Sequence, residues 1–203
     1  MAGGRQREFD KQQALSAAMH VFWQKGYVGA SLADLTSAMG INKPSMYAAF
    51  GNKEQLFVQA TEHYMAVHAE PLFPLLHTPN QSLKQRVGAY MRAVVAAQCA
   101  GETPLGCFVS LCINEAASQS MPQSAVTLIE QAKGYAENYL TQLFKDEITA
   151  GNLSPQTQPA TLASLLVTLM HGTAAMARGG KRFEELEPLL EITLQQVMSG
   201  SNS

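Results

Sequence analysis

Two groups of residues in this 203-residue chain carry side chains able to act on another molecule. The first is Lys43, Ser45, Tyr47, Asn52 and Lys53. Lysine, hydroxyl and amide groups hold phosphate oxygens, and a lysine also reaches guanine O6 and N7. The second is Cys107, placed after Gly106 in an apolar run, with Cys112 five residues further on. A thiol near a helix N-terminus has its thiolate favoured by the dipole, which suits a nucleophile or a soft-metal ligand. A free cysteine is also among the most buried residue types and often only packs. Five residues exceed the three- or four-residue spacing of one helix face, so Cys107 and Cys112 do not pair readily within a straight helix. The sequence has no compact metal-ligand spacing, including one for Cu(I), and implies no cofactor. It contains no Gly-x-Ser-x-Gly elbow, P-loop, His-Glu-x-x-His or Gly-x-Gly-x-x-Gly after a strand. A thiol enzyme built on Cys107 and His171 would lack an orienting third group.

The elements that must position these residues read as helices nearly everywhere. Neither alternating β-branched runs nor Asn-Gly hairpin signals occur. The first helix is predicted from Asp10 to Gln24, with Ala14, Leu15, Ala18, Met19, Phe22 and Trp23 as its apolar stripe and Gly26 as its stop. Ser31 caps a short helix, Leu32 to Met39, and Gly40-Ile41-Asn42 turns into a third from Lys43 to Phe50 with Pro44 in its first turn. A longer helix is predicted from Lys53 to Ala69, ended by Pro71 and Pro74. Further helices are predicted from Ser82 to Ala100, Leu105 to Ser118, Pro122 to Ala150, Pro159 to Arg178 and Phe183 to Met198.

Charge and composition divide the chain near residue 52. Residues 1–60 hold six basic residues against four acidic ones, whereas the remainder is acidic and the whole carries −2. The N-terminal part therefore suits a polyanion. We expect residues 1–51 to form one helical domain and residues 52–203 a second. Hydrophobic residues make up 46% and charged ones 15%, a balance that often hides apolar surface in an oligomer interface. Three cysteines make a poor disulfide framework, and no apolar leader precedes them, so the cytoplasm is the expected compartment. The apolar stretch Leu162 to Ala177 reads as too short and too polar to span a bilayer.

Two short helices joined by a tight turn must cross steeply. Leu32, Leu35, Ala38, Met39, Ile41, Met46 and Phe50 are expected to form the core that fixes the angle. Lys43, Ser45, Tyr47, Ala48 and Ala49 would then face outward, as a major-groove helix requires. The free N–H groups at Ser31 and at Asn52-Lys53 suit phosphates.

Residues 9–57 resemble the DNA-binding domain of the TetR/AcrR family of one-component regulators. The resemblance rests on Ala18 and Phe22, Gly26-Tyr27, Ser31-Leu32-Ala33-Asp34-Leu35 and Ala38-Met39-Gly40-Ile41. It continues through Lys43-Pro44-Ser45-Met46-Tyr47-Ala48-Ala49-Phe50-Gly51-Asn52-Lys53-Glu54-Gln55-Leu56-Phe57. Ala48 and Ala49 depart from the larger polar residues many members carry, which leaves methyl contacts to thymine in their place. The resemblance implies an all-α protein: a helix-turn-helix domain followed by a helical domain that dimerises and holds an effector pocket. It implies a repressor released from a palindromic operator in double-stranded DNA by a small molecule, with Ser31, Lys43, Pro44, Ser45, Tyr47, Ala48, Asn52 and Lys53 at the DNA. Arg5 and Arg7 would form an arm into the minor groove.

Gly106-Cys107 resembles a motif in one branch of that family, whose members include thiol sensors of electrophiles and oxidants. A thiol-based sensor acting through Cys107 is therefore an alternative, as is a helical module that binds protein instead of DNA. Candidates for the effector site are Cys107, Leu111, Cys112, Tyr64, Met65, Tyr90, Tyr135, Met170 and His171, since methionines and aromatics suit apolar ligands. Phe73, Tyr139 and Met176 share that chemistry, and Glu115 can face a cation or cap a helix. His63 and His68 read as solvated. The last two helices carry broad apolar faces suited to a homodimer's four-helix interface.

Overall fold

The computed structural model describes residues 10–101 and 105–198. Asp10 starts the first helix by accepting the amides of Gln12 and Gln13, and α1 spans Lys11–Gly29. Ala14, Ala18, Met19, Phe22 and Trp23 form its buried stripe. At Gly26 the backbone leaves helical geometry (φ +74°, ψ 179°), and one further turn carries the chain to Gly29. Helix α2 (Leu32–Met39) begins with a reciprocal cap between Ser31 and Asp34. Asn42 caps α3 (Lys43–Phe50), with Pro44 in its first turn, and an Asn52–Gln55 box opens α4 (Lys53–Tyr64). Each cap satisfies amides that no helical carbonyl can reach.

After Tyr64 the helix does not run on to Ala69 in α geometry. It widens into a π-helical turn, Met65–Ala69, and then tightens into a 3₁₀ segment, Glu70–His77. Pro71 lacks the N–H that an α-helix needs. The segment continues because Arg86 holds it: Nη1 donates to Leu76 O at 2.7 Å, and Nη2 pairs with Glu147 at 2.9 Å in a half-buried bridge. Then come α5 (Leu83–Cys99), α6 (Phe108–Ala117), α7 (Gln123–Thr149), α8 (Pro159–Arg178) and α9 (Phe183–Met198). Strand is absent among the described residues.

Helix α6 starts three residues later than the sequence predicts. Gly106 has φ +81°, and a Cβ there would lie 2.6 Å from the Ala174 carbonyl oxygen of α8. Close packing on α8 thus keeps residues 105–107 out of the helix and leaves Cys107, with extended backbone, as the N-cap.

Two apolar clusters fill the molecule. One joins α1–α4 to Phe108, Val109, Cys112 and Ala116 of α6 and to the N-terminal half of α7. Its aromatics form a chain: Phe22 meets Phe57 edge-on at 5.1 Å, and Phe57 stacks on Phe108 at 5.7 Å. Tyr64 also stacks on Phe108, at 5.2 Å, and Trp23 meets Tyr64 edge-on. The second cluster joins the 3₁₀ segment, α5, the C-terminal half of α7, α8 and α9.

By length and composition α8 is long and apolar enough to cross a membrane, which the shorter stretch read from the sequence was not. Its Leu162, Ala163, Leu166, Val167, Thr173, Ala174 and Ala177 instead pack into the protein. Leu165 and Met176 of α8 remain exposed, as do Leu189 and Ile192 of α9.

Candidate nucleic-acid interface and interior cavity

Buried Leu35, Met39, Met46 and Phe50 set α3 across α2. Ala38, expected in this core, lies on the exposed side, and Leu32 and Ile41 are only partly covered. Lys43, Pro44 and Ala48 of α3 face solvent, as does Tyr47 at 46% exposure, while Ser45 is half-buried with its amide bound to Asn42 Oδ1 at 2.8 Å. The surface therefore offers one cation, one phenol and a methyl along a short helix, a set able to reach a phosphate and base edges in a groove.

The flanking positions are more constrained. The Ser31 hydroxyl donates to Asp34 Oδ2 at 2.7 Å, and Asp34 Oδ1 pairs with Lys25 at 2.6 Å. Hydrogen bonds from Lys25 and Ser31 hold the Asp34 carboxyl down at about 2. Asn52 is exposed, with its side chain accepting the Gln55 amide. Lys53 points inward: its Nζ lies 4.5 Å from the centre of the Tyr27 ring, and burial lowers its pKa against the opposing pull of Glu115. Arg5 and Arg7 lie outside the described residues.

The end of α1 is held from both sides by helices far along the chain. Glu115 of α6 accepts the amides of Tyr27 (2.7 Å) and Val28 (3.3 Å), just past the break at Gly26. Arg178, at the end of α8, donates to the carbonyls of Trp23 (3.1 Å) and Gln24 (2.7 Å). It also reaches Leu105 O at 3.4 Å, beside Cys107. Glu115 is thus a cap on backbone amides. The arrangement satisfies orphan donors and acceptors at one helix end with charged partners, the stronger class of hydrogen bond.

Behind this joint lies a cavity of about 100 Å³, walled mainly by apolar and aromatic groups. Cys107, Tyr64, Met65, Tyr90, Tyr135, Met170 and His171 line it, as do Trp23, His68, Phe73, Gln98, Ser110 and Lys133. Tyr64 Oη donates to Cys107 Sγ at 3.3 Å, and burial keeps that phenol protonated far above its ordinary range. His171 Nδ1 shares a 2.6 Å hydrogen bond with Ser110 Oγ. Burial lowers the pKa of both His171 and His68.

Two residues grouped with these from the sequence lie elsewhere. Cys112 is fully buried in the first apolar cluster, where burial pushes its thiol far up. Leu111 lines an outer groove between α6 and α8. The five-residue step that separates the two cysteines in sequence turns them to different sides. Tyr139 is bound to His77 and packed on Phe73, and Met176 is exposed. His63 meets Ser16 Oγ at 3.0 Å. His68 is half-buried and not simply a solvated-face residue: it packs on Trp23 and Tyr64. Sequence reasoning assigned Trp23 only to the first helix's core and passed over Gln98, Ser110 and Lys133. The mid-helix apolar stripe gave no sign that Trp23 bridges two parts of the molecule.

The family model for bacterial regulatory proteins of the tetR family matches residues 14–60, which contain α2, α3 and most of α1 and α4. The chain is 31% identical over 193 residues to the HTH-type transcriptional repressor ComR of Escherichia coli K12, covering 95% of this chain and 90% of ComR. It superposes with a TM-score of 0.84 on CifR, a TetR family transcriptional regulator solved as a cysteine mutant with 26-bp double-strand operator DNA. That match has 35% identity and covers 95% of this chain and 98% of CifR. The reduced form of E. coli NemR shares the fold at a TM-score of 0.79 and 20% identity, covering 95% and 98% of the two chains. On the full-length likeness to ComR, and with a helix-turn-helix whose α3 face stands free, the chain belongs to the TetR family and is a DNA-binding transcriptional regulator.

Proposed function

We propose that this regulator is a repressor that binds a palindromic operator as a homodimer and lets go when a small molecule occupies the cavity. The observation that carries this reading is the joint at the end of α1. Trp23 puts its ring in the cavity wall and its carbonyl on Arg178, on the helix that begins the DNA-binding part. An occupant that moves α6 or α8 moves Glu115 or Arg178, and with them α1 and the helices packed on it. Only an occupant that prefers the released arrangement shifts the balance. Residues 1–51 serve as the DNA-binding domain and residues 52–203 as the effector-binding and dimerisation domain. Lys43, Tyr47 and Ala48 meet the groove; Ser31, Pro44, Ser45, Asn52 and Lys53 lie at the backbone, Lys53 after leaving the Tyr27 ring. ComR is named a repressor, and CifR was solved on operator DNA, which supports the same role here.

A second reading makes Cys107 the sensor, in the branch of the family with a Gly-Cys motif. It is favoured by the thiol's place in the cavity wall and by the Tyr64 hydroxyl aimed at its sulfur. The CifR operator complexes were solved with cysteine mutants, which fits a thiol that matters.

A gel-shift titration with DNA flanking the gene tests both. Wild type binds saturably and Tyr47→Ala does not. Release of wild type by N-ethylmaleimide, abolished in Cys107→Ser, selects the thiol sensor; indifference to the reagent selects reversible occupancy. A genome-wide DNA selection with no enriched site overturns the regulator's operator reading.

A further inference from the structure

Among the described residues, two buried side-chain nitrogens find no hydrogen-bond partner: Trp23 Nε1 and His171 Nε2. Both residues line the same cavity. Trp23 is 7% exposed, so solvent does not compensate its indole N–H. A buried donor left unmade costs on the order of 1–3 kcal/mol, and native proteins rarely keep such groups without a use.

The chemistry of each nitrogen is restricted. The indole N–H only donates. His171 Nδ1 is engaged by Ser110 Oγ, so Nε2 donates or accepts according to the tautomer. The fixed demand therefore comes from Trp23, and it is for an acceptor. The remaining wall argues against charge. Met65, Phe73 and Met170 are apolar, and the cation at the wall, Lys133, is already paired with Glu130 at 3.3 Å. Among the described residues no carboxylate lines the cavity, so a cationic guest would be desolvated there without a counter-ion. Size is limited as well. A dry cavity of 150 Å³ holds benzene, so about 100 Å³ favours a guest no larger than benzene.

Resting on the reading of this cavity as the effector site, we infer that its ligand is a compact, uncharged molecule carrying an oxygen acceptor, recognised through the indole N–H of Trp23. The binding group is then on the first helix of the DNA-binding part, so the ligand touches the element whose end Arg178 and Glu115 hold.

The chain has a single tryptophan, so the full-length protein gives one indole resonance in a ¹⁵N–¹H spectrum. Three five-membered rings of matched shape serve as probes: tetrahydrofuran, cyclopentane and the pyrrolidinium cation. Tetrahydrofuran is expected to move the indole proton downfield saturably. Cyclopentane is expected to perturb the Met65 and Met170 methyls without that downfield shift, and pyrrolidinium to do neither. In Trp23→Phe, affinity for tetrahydrofuran should fall roughly fivefold relative to cyclopentane, the worth of one hydrogen bond. If none of the rings perturbs the cavity methyls, the cavity is not a ligand site and the effector reading itself fails. If tetrahydrofuran binds without moving the indole proton, or pyrrolidinium binds as well as it does, the cavity stands and the inferred ligand class is overturned.

Discussion

At the scale of the residue, the surface of α3 offers little. Lys43 and Tyr47 carry nearly all of its polar reach, since Ala48 contributes only a methyl and Ser45 is half-buried. Base readout should therefore be shallow and the phosphate share of binding large. Lys43→Ala is expected to weaken operator binding at all sequences alike and to lower the slope of log affinity against log salt by about 1. A loss confined to one base position, with the slope intact, would instead make Lys43 a base reader. A second residue-scale expectation concerns protons. Burial lowers His68 and His171 below the ordinary value of 6.5, with His20 and His63 adding to the effect at His68 and Lys133 at His171. The unfolded chain then binds protons that the folded one refuses. The stability they contribute is complete above 6.5 and is lost as pH falls toward their lowered folded values. Thermal melts between pH 7.5 and 5 should show Tm dropping through this window. His68→Gln should flatten the drop; an unchanged profile would assign the acid sensitivity to other groups.

At the scale of the element, what was legible in the sequence is what local chemistry fixes. Asp10 and Ser31, read as caps, bond amides two or three residues on; Asn42, Asn52 and Ser82, read only as turn, break and start, cap their helices the same way, and Pro159 and Gly179 bracket α8. Signals of that range can be read without the fold. The late start of α6 cannot, because Gly106 is set by the Ala174 carbonyl of a helix that begins at Pro159. Nor can the joint, where Glu115 reaches back 88 residues to Tyr27 and Arg178 reaches back 155 to Trp23. The cavity was partly legible: its aromatics and methionines stood out by type, while Trp23 was hidden in a stripe that looked purely structural and His68 read as solvated. The joint gives sharp expectations. Glu115→Ala strips two amides of a charged acceptor and should cost about 2 kcal/mol in urea unfolding. Amide exchange at Tyr27 and Val28 should quicken more than elsewhere in α1. Gly26→Ala should behave similarly, since its Cβ would overlap the Glu115 carboxylate and its φ is positive. If Gly26→Ala unfolds with wild-type stability, the Glu115 contact is not holding the turn.

At the scale of the whole molecule, one subunit presents one short reading helix with two polar side chains, too little to select a site alone. The same subunit leaves Leu165 and Met176 on α8 and Leu189 and Ile192 on α9 exposed, the last at 61%. These two facts answer each other. In the proposed dimer, two α8–α9 pairs meeting about a two-fold axis would bury those side chains in a four-helix interface, and the symmetry would set two copies of α3 one helical turn of DNA apart. Doubling the contacts raises operator affinity by the effective concentration of the second subunit, on the order of 10²–10⁴-fold. Because the four positions are exposed within the subunit, Leu165→Glu with Ile192→Glu should leave the fold near wild-type stability, within about 0.5 kcal/mol per site. The same pair should abolish the dimer in analytical ultracentrifugation. Operator binding should then fall by at least a hundredfold, while weak binding to a half-site of the same DNA persists. A monomer that keeps full operator affinity would break the link between symmetry and recognition. A variant that remains dimeric would move the interface off this face, and with it the geometry by which a small change at the end of α1 alters the span between the two reading helices.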